Sequence, residues 1–148
     1  MRNQMFESEA KYAVAIAAIL LIIEKPDVDF VDSEFFCGST ITSMYVPDHN
    51  LILFNQDWLA VSKVEEVILT AFHETRHAYQ KAQIDGLSSL KNNENLETVA
   101  KWKREFGQYF RPSDQFQDDP RYLGQDIEKD AIEFSMQLLR RYQNSVIQ

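Results

Sequence analysis

Residues 62–86 read SKVEEVILTAFHETRHAYQKAQIDG, and this stretch decides how the rest of the chain is read. Val64, Val67, Ile68, Ala71 and Phe72 recur at helical spacing and form an apolar stripe. Ser62-Lys63-Val64-Glu65 has the form of a capping box, which predicts a helix beginning at Lys63. Gly86, after Ile84-Asp85, suits the C-terminal stop. The predicted helix carries His73-Glu74-Thr75-Arg76-His77 in its middle. Phe72 and Ala78 flank the two histidines with apolar bulk.

Two histidines four apart on a helix share one face, about one turn apart. Both imidazoles can then reach one zinc ion at roughly 2 Å each. Glu74 projects to the side of that position, where a carboxylate can take a proton from a metal-activated water instead of binding the metal. The chain has 3 histidines, and two of them are spent on this pattern. The competing reading is a solvated His/Glu/Arg face with i,i+4 partners. The helical context weighs against it.

Upstream, Ile41-Thr42-Ser43-Met44-Tyr45-Val46 and Leu51-Ile52-Leu53-Phe54 are strand-like, and Pro47-Asp48-His49-Asn50 between them reads as a hairpin turn. His49, alone in that turn, reads as solvated. Val28 to Phe36 reads as including a short strand, of mixed pattern. Ser8 to Glu24 reads as a helix ended by Pro26. Its apolar run, Ala13 to Ile23, is shorter than the twenty or so residues a membrane span needs. Glu7 and Glu9 occupy the place where a signal peptide carries positive charge, and Glu24-Lys25-Pro26 is no cleavage site. A buried core helix is expected there.

The composition agrees with a folded, non-membrane chain. Its 148 residues suggest one domain spanning 1–148, with no repeat or linker. At 45% hydrophobic and 12% aromatic residues it can bury a core. A net charge of -8 argues against nucleic acid or an anionic membrane as partner. Cys37 is the only cysteine, which excludes an internal disulfide and fits a reducing compartment. A cytoplasmic location is the expectation. Cys37 reads as a small hydrophobe, because no base lies beside it in sequence.

Downstream, Asn95 to Phe106 predicts a helix with Leu96, Val99, Trp102 and Phe106 on one face. Gly107 to Gly124 reads as irregular. A last helix is predicted from Asp126, as N-cap, to Tyr142, with Ile127, Ala131, Phe134 and Leu138 as its core stripe. This helix bears on the metal. Catalytic zinc usually keeps three protein ligands, and no histidine follows His77. A carboxylate from elsewhere must complete the set. Glu128 is preferred, because it lies in the first turn, where the helix dipole favours an anion. Asp130 is the next choice, and Glu133 points to another side; each also reads as an ordinary surface acid.

The motif at 73–77, followed by Glu128-x-Asp130-Ala131-x-x-Phe134, resembles the small gluzincin metallopeptidases. The nearest shape is the ImmA/IrrE-like group, where HExxH is followed by a helix of the form E-x-E-A-N-x-F-A. This chain departs from that form at Asp130, Ile132 and Ser135. The resemblance implies zinc held by His73, His77 and Glu128, with Glu74 as general base. It also implies an α+β zincin-like fold, with helices on a small antiparallel sheet whose edge strand can pair with an extended substrate. Tyr122 is a candidate to stabilise a developing oxyanion, with Tyr79, Arg76 and Arg121 behind it. The expected activity is peptide-bond hydrolysis on a peptide or protein substrate. The alternative is a catalytically idle zincin scaffold that binds zinc and a protein partner; a purely structural zinc site is a third reading.

Overall fold

The computed structural model describes residues 2–36, 41–86, 94–107 and 124–147. The predicted irregular segment after Gly107 and the residues Cys37, Arg121 and Tyr122 lie outside them. The order along the chain is α1 (Arg2–Leu21), β1 (Asp27–Val31), β2 (Ser43–Val46), β3 (Leu51–Asn55), α2 (Gln56–Val61), α3 (Val64–Ile84), α4 (Leu96–Gly107) and α5 (Asp126–Ile147). The class is α+β, as expected.

Helix α1 begins several residues before the predicted Ser8, and the buried Phe6 anchors its early turns in the core. Ala10, Ala13, Val14 and Ala17 recur at helical spacing and are fully or almost fully buried. Such small side chains let a neighbouring helix approach closely, and α1 packs along α3. The other side of the helix stays exposed, at Tyr12, Ile19 and Leu20. No helix among the described residues is long and apolar enough to cross a membrane. The helix stops before Glu24, at Leu21. Ile22 takes the left-handed conformation at φ 55, and Ile23 N donates to Ala18 O at 3.1 Å. This is a Schellman-type end with an isoleucine where glycine is usual.

The sheet has the order β1-β3-β2. Strands β2 and β3 form the predicted antiparallel hairpin, with Ser43 opposite Phe54 and Val46 opposite Leu51. A 3-10 turn at Pro47–His49 joins them, closed by Asn50 at φ 46, and His49 is exposed. Strand β1 pairs with β3 in parallel, Val28 opposite Ile52. The sheet is therefore mixed, which corrects the expected all-antiparallel sheet. The pattern of β3 explains its place. Ile52, Leu53 and Phe54 are all buried, as suits a central strand, whereas β1 exposes Asp27 and Asp29 on an edge.

Asn55 closes β3 and caps α2, its Oδ1 accepting from Asp57 N at 2.9 Å and Trp58 N at 3.4 Å. Helix α2 was not expected, although an asparagine after an apolar run is a helix-start signal. The start of α3 also differs from the predicted box. Ser62 Oγ donates back to Leu59 O at 3.2 Å, closing α2. Lys63 is the N-cap, and its N donates to Glu66 Oε2 at 3.4 Å, so Glu66 takes the place expected of Glu65. The C-terminal stop is as predicted, with Gly86 at φ 71.

Helix α3 is the centre of the molecule, meeting α1, α4, α5 and β2. The sheet face bearing Tyr45, Ile52 and Phe54 joins the main core with Val67, Ala71 and Phe72 of α3 and Leu138 of α5. Leu21, Tyr79, Trp102 and Ile127 form a second cluster where α4 and α5 close on α3. Of the predicted α4 face, Trp102 is buried, but Leu96 is 88% exposed at the helix start.

Candidate metal centre

Helix α3 presents His73 and His77 one turn apart, their ring centroids 4.8 Å from each other and their planes nearly perpendicular. Glu128, in the first turn of α5, lies across both rings. Its Oε2 is 3.0 Å from His73 Nε2 and its Oε1 is 2.9 Å from His77 Nε2. The ligand atoms of these three residues all lie within 4.8 Å of one another, and they are the one such group among the described residues. Two imidazole nitrogens and a carboxylate oxygen, held by two packed helices, could hold a metal ion.

The fold sets Glu128 in place by several contacts. Ile127 and Ala131 of α5 are buried and fix its rotation against α3. The start of α5 is held from outside: Glu105 of α4 accepts from Asp126 N at 2.9 Å and Ile127 N at 2.8 Å. A carboxylate from another helix thus satisfies two otherwise unpaired donors of the first turn. Gln125, not the expected Asp126, precedes the helix, and its carbonyl accepts from Glu128 N and Lys129 N.

Glu128 is fully buried at 0% exposure. Burial works to raise its carboxyl pKa, but the two imidazoles beside it override this and hold it well below the usual carboxylate range. The same balance governs His77. Burial works to lower it, while the charge and hydrogen bond of Glu128 carry it up to about 9.

Further side chains support the cluster. His77 Nδ1 lies 2.9 Å from Gln80 Oε1. Gln80 is fully buried, and its Nε2 donates to Ile127 O at 2.9 Å and Asp130 Oδ2 at 2.8 Å. Glu74, the candidate base, is buried and accepts from Ser43 Oγ of β2 at 2.5 Å. The sheet thereby meets the motif directly.

Asp130 is turned away from the cluster. Arg76 Nε donates to its Oδ2 at 2.7 Å and Arg76 Nη2 to its Oδ1 at 3.0 Å. Arg76 also reaches Glu94 and lies over the rings of Tyr79 and Phe134, at 4.2 and 4.9 Å. Arg76 is therefore committed to α5 rather than to an oxyanion. Tyr79 is buried against Trp102, and burial together with Glu94 pushes its hydroxyl pKa well up. Glu133 is exposed and bonds Gln137. The proposed role of Tyr122 falls outside the described residues.

Three supporting residues escaped the sequence reading. Gln80 had a usable signal, since it stands at i+3 from His77 on the same helix face. Ser43 and Glu105 had none, because their partners are remote in sequence. Compared with family models, curated proteins and solved structures, the chain finds no match in any of the three.

Proposed function

We propose that this chain is a zinc-dependent metallopeptidase in which His73, His77 and Glu128 hold the metal and Glu74 is the general base. One observation carries the reading: the fully buried carboxylate of Glu128 lies 3.0 and 2.9 Å from the Nε2 atoms of the two motif histidines. Donors around a tetrahedral zinc, each about 2 Å from it, stand roughly 3.3 Å apart. The two His–Glu distances need to widen slightly, and the three ligand atoms, all within 4.8 Å of one another, need to close on one point. The set of two imidazoles and one carboxylate is that of catalytic zinc sites, which keep a fourth position open.

When bound, zinc would supply Lewis acidity, polarising a substrate carbonyl and making water a stronger acid. The chain's own residues do the rest. Glu74 accepts the proton of the attacking water and passes it to the leaving amine. Ser43 donates to Glu74 Oε2 and steadies the carboxylate. The buried surroundings of His77 and Glu128 keep bulk water from competing for the donors. The same Ser43–Glu74 hydrogen bond favours a second reading, an idle zincin scaffold that binds zinc and a protein partner, if it holds Glu74 permanently.

Metal analysis and a peptidase assay separate these readings. The purified protein is expected to carry one zinc per chain, and His73→Ala and His77→Ala to lose tight binding. Full zinc in either variant would remove the site. Glu74→Gln is expected to keep metal and fold but lose hydrolysis. Cleavage at the wild-type rate by that variant would overturn the mechanism, and zinc uptake without any hydrolysis would favour the idle scaffold.

A further inference from the structure

We propose that Gln80 is a positioning residue: its amide, aimed by Asp130 and the Ile127 carbonyl, fixes the proton of His77 on Nδ1 and so turns a bare Nε2 toward the metal. This rests on the reading of His77 as a metal ligand and adds a determinant that the HExxH pattern does not contain.

Hydrogen-bond valence leads to it. Asp130 Oδ2 and Ile127 O both face the Gln80 side chain, at 2.8 and 2.9 Å. A peptide carbonyl can only accept. An ionised carboxylate can only accept, and Asp130 lies in the two-pronged grip of Arg76. Two acceptors on one side demand the NH2 end of the amide there, since the opposite orientation would set three oxygens against one another. The amide oxygen is then left facing His77 Nδ1 at 2.9 Å. That oxygen also can only accept, so Nδ1 must carry the hydrogen. Nε2 faces Glu128 Oε1 at 2.9 Å, also an acceptor, so it carries a hydrogen until a metal takes that place, while the hydrogen on Nδ1 stays and leaves Nε2 as the atom with the free lone pair. Gln80 is fully buried, so no bulk water competes for either end of the amide.

Arg76 thus acts at a distance from the metal. Stacked over Tyr79 and Phe134, it holds Asp130, Asp130 holds Gln80, and Gln80 holds the ring of His77. A partner on the far nitrogen of a metal-binding imidazole fixes its tautomer and orientation and raises its basicity.

The test uses the full chain loaded with zinc. In the wild type, nitrogen NMR of the His77 ring is expected to show Nε2 bound to metal and Nδ1 protonated, with a slowly exchanging proton. Gln80→Met, close in length and unable to accept, is expected to weaken zinc affinity about 10–100-fold and to make that proton exchange freely. Affinity is measured on protein shown to be folded by circular dichroism, well below its melting temperature. A merely structural role would lower melting without moving the affinity or the ring proton. Unchanged affinity in folded Gln80→Met overturns the inference, as does a wild-type His77 bound to metal through Nδ1. Should the Met variant fail to fold, the wild-type spectrum alone decides. A wild-type chain that takes up no zinc overturns the metal centre itself, a distinct outcome from the others.

Discussion

Arg76 spans the carboxylate of Asp130, with Nε on one oxygen at 2.7 Å and Nη2 on the other at 3.0 Å. The two acids of this helix start are thereby divided between two tasks. Glu128 and Asp130 stand two positions apart, about 200° around the helix. When Glu128 faces the histidines, Asp130 must face elsewhere, and Arg76 of the motif receives it.

Replacing the two acids should therefore have unequal effects. Glu128→Ala is expected to lower zinc affinity by orders of magnitude, and Asp130→Ala by about tenfold, through the loosened Gln80. Zinc titration of the two variants side by side checks this. The reverse order would make Asp130 the ligand.

This division also shows what the sequence could and could not disclose. The helix carrying His73 and His77, the hairpin at 43–55 and the last helix were legible, because each rests on periodicity and turn residues within one short window. Glu128 was favoured over Asp130 for its first-turn place, which is a local property. The parallel pairing of β1 with β3 was not legible, since register between remote strands leaves no mark in either strand alone. The same holds for Glu105 at the start of α5 and Ser43 on Glu74. The overlooked α2 and the displaced capping box are lesser failures: the cap at Asn55 is a real signal that the reading passes over, and the box at the start of α3 sits one residue later than expected.

The stability of the metal-free protein should depend on pH through His77 and Glu128. His77 is carried from 6.5 up to about 9 in the fold. Its contribution is fully present below pH 6.5 and is lost as pH rises through about 9. Glu128 is lowered from 4.5, so its contribution is present above pH 4.5 and is lost as pH falls through its depressed folded value. Urea midpoints of the metal-free chain should therefore decline from pH 6.5 toward 9. His77→Ala should abolish that decline. Zinc affinity should rise over the same interval, because the metal needs the imidazole unprotonated.

Glu105 offers a test of how the start of α5 is held. Glu105→Ala removes the acceptor of two first-turn N–H groups. A loss of about 0.5–2 kcal/mol is expected by analogy with a lost N-cap. Zinc affinity should fall with it, since Glu128 lies in the same turn. Chemical denaturation and zinc titration of one variant read both effects. A stability loss with unchanged affinity would mean that the buried Ile127 and Ala131, with the Gln80 and Arg76 bonds to the same turn, position Glu128 without Glu105.

Ile22 should be open to improvement. A β-branched residue at φ 55 is held in a conformation that costs roughly 1–2 kcal/mol for an L-residue, and glycine avoids that cost. Its side chain is 54% exposed, so little packing is lost on removal. Ile22→Gly is expected to raise the melting temperature by about 2–4 °C for a gain near 1 kcal/mol. A lower melting temperature by calorimetry would show that the contacts made by the exposed Ile22 side chain outweigh the backbone strain.

Because α3 is enclosed by α1, α4, α5 and β2, its amides should be among the last to exchange with solvent, opening only when the whole chain unfolds. The start of α5 shares that shelter: Gln80 and Arg76 of α3 bond the Ile127 carbonyl and the Asp130 carboxylate, Glu105 of α4 holds its first amides, and Ile127, Glu128 and Ala131 are buried. The two histidines and the glutamate should thus belong to one cooperative unit. Release of a bound ion would then wait on the parting of two whole helices rather than begin as a local event at residue 128.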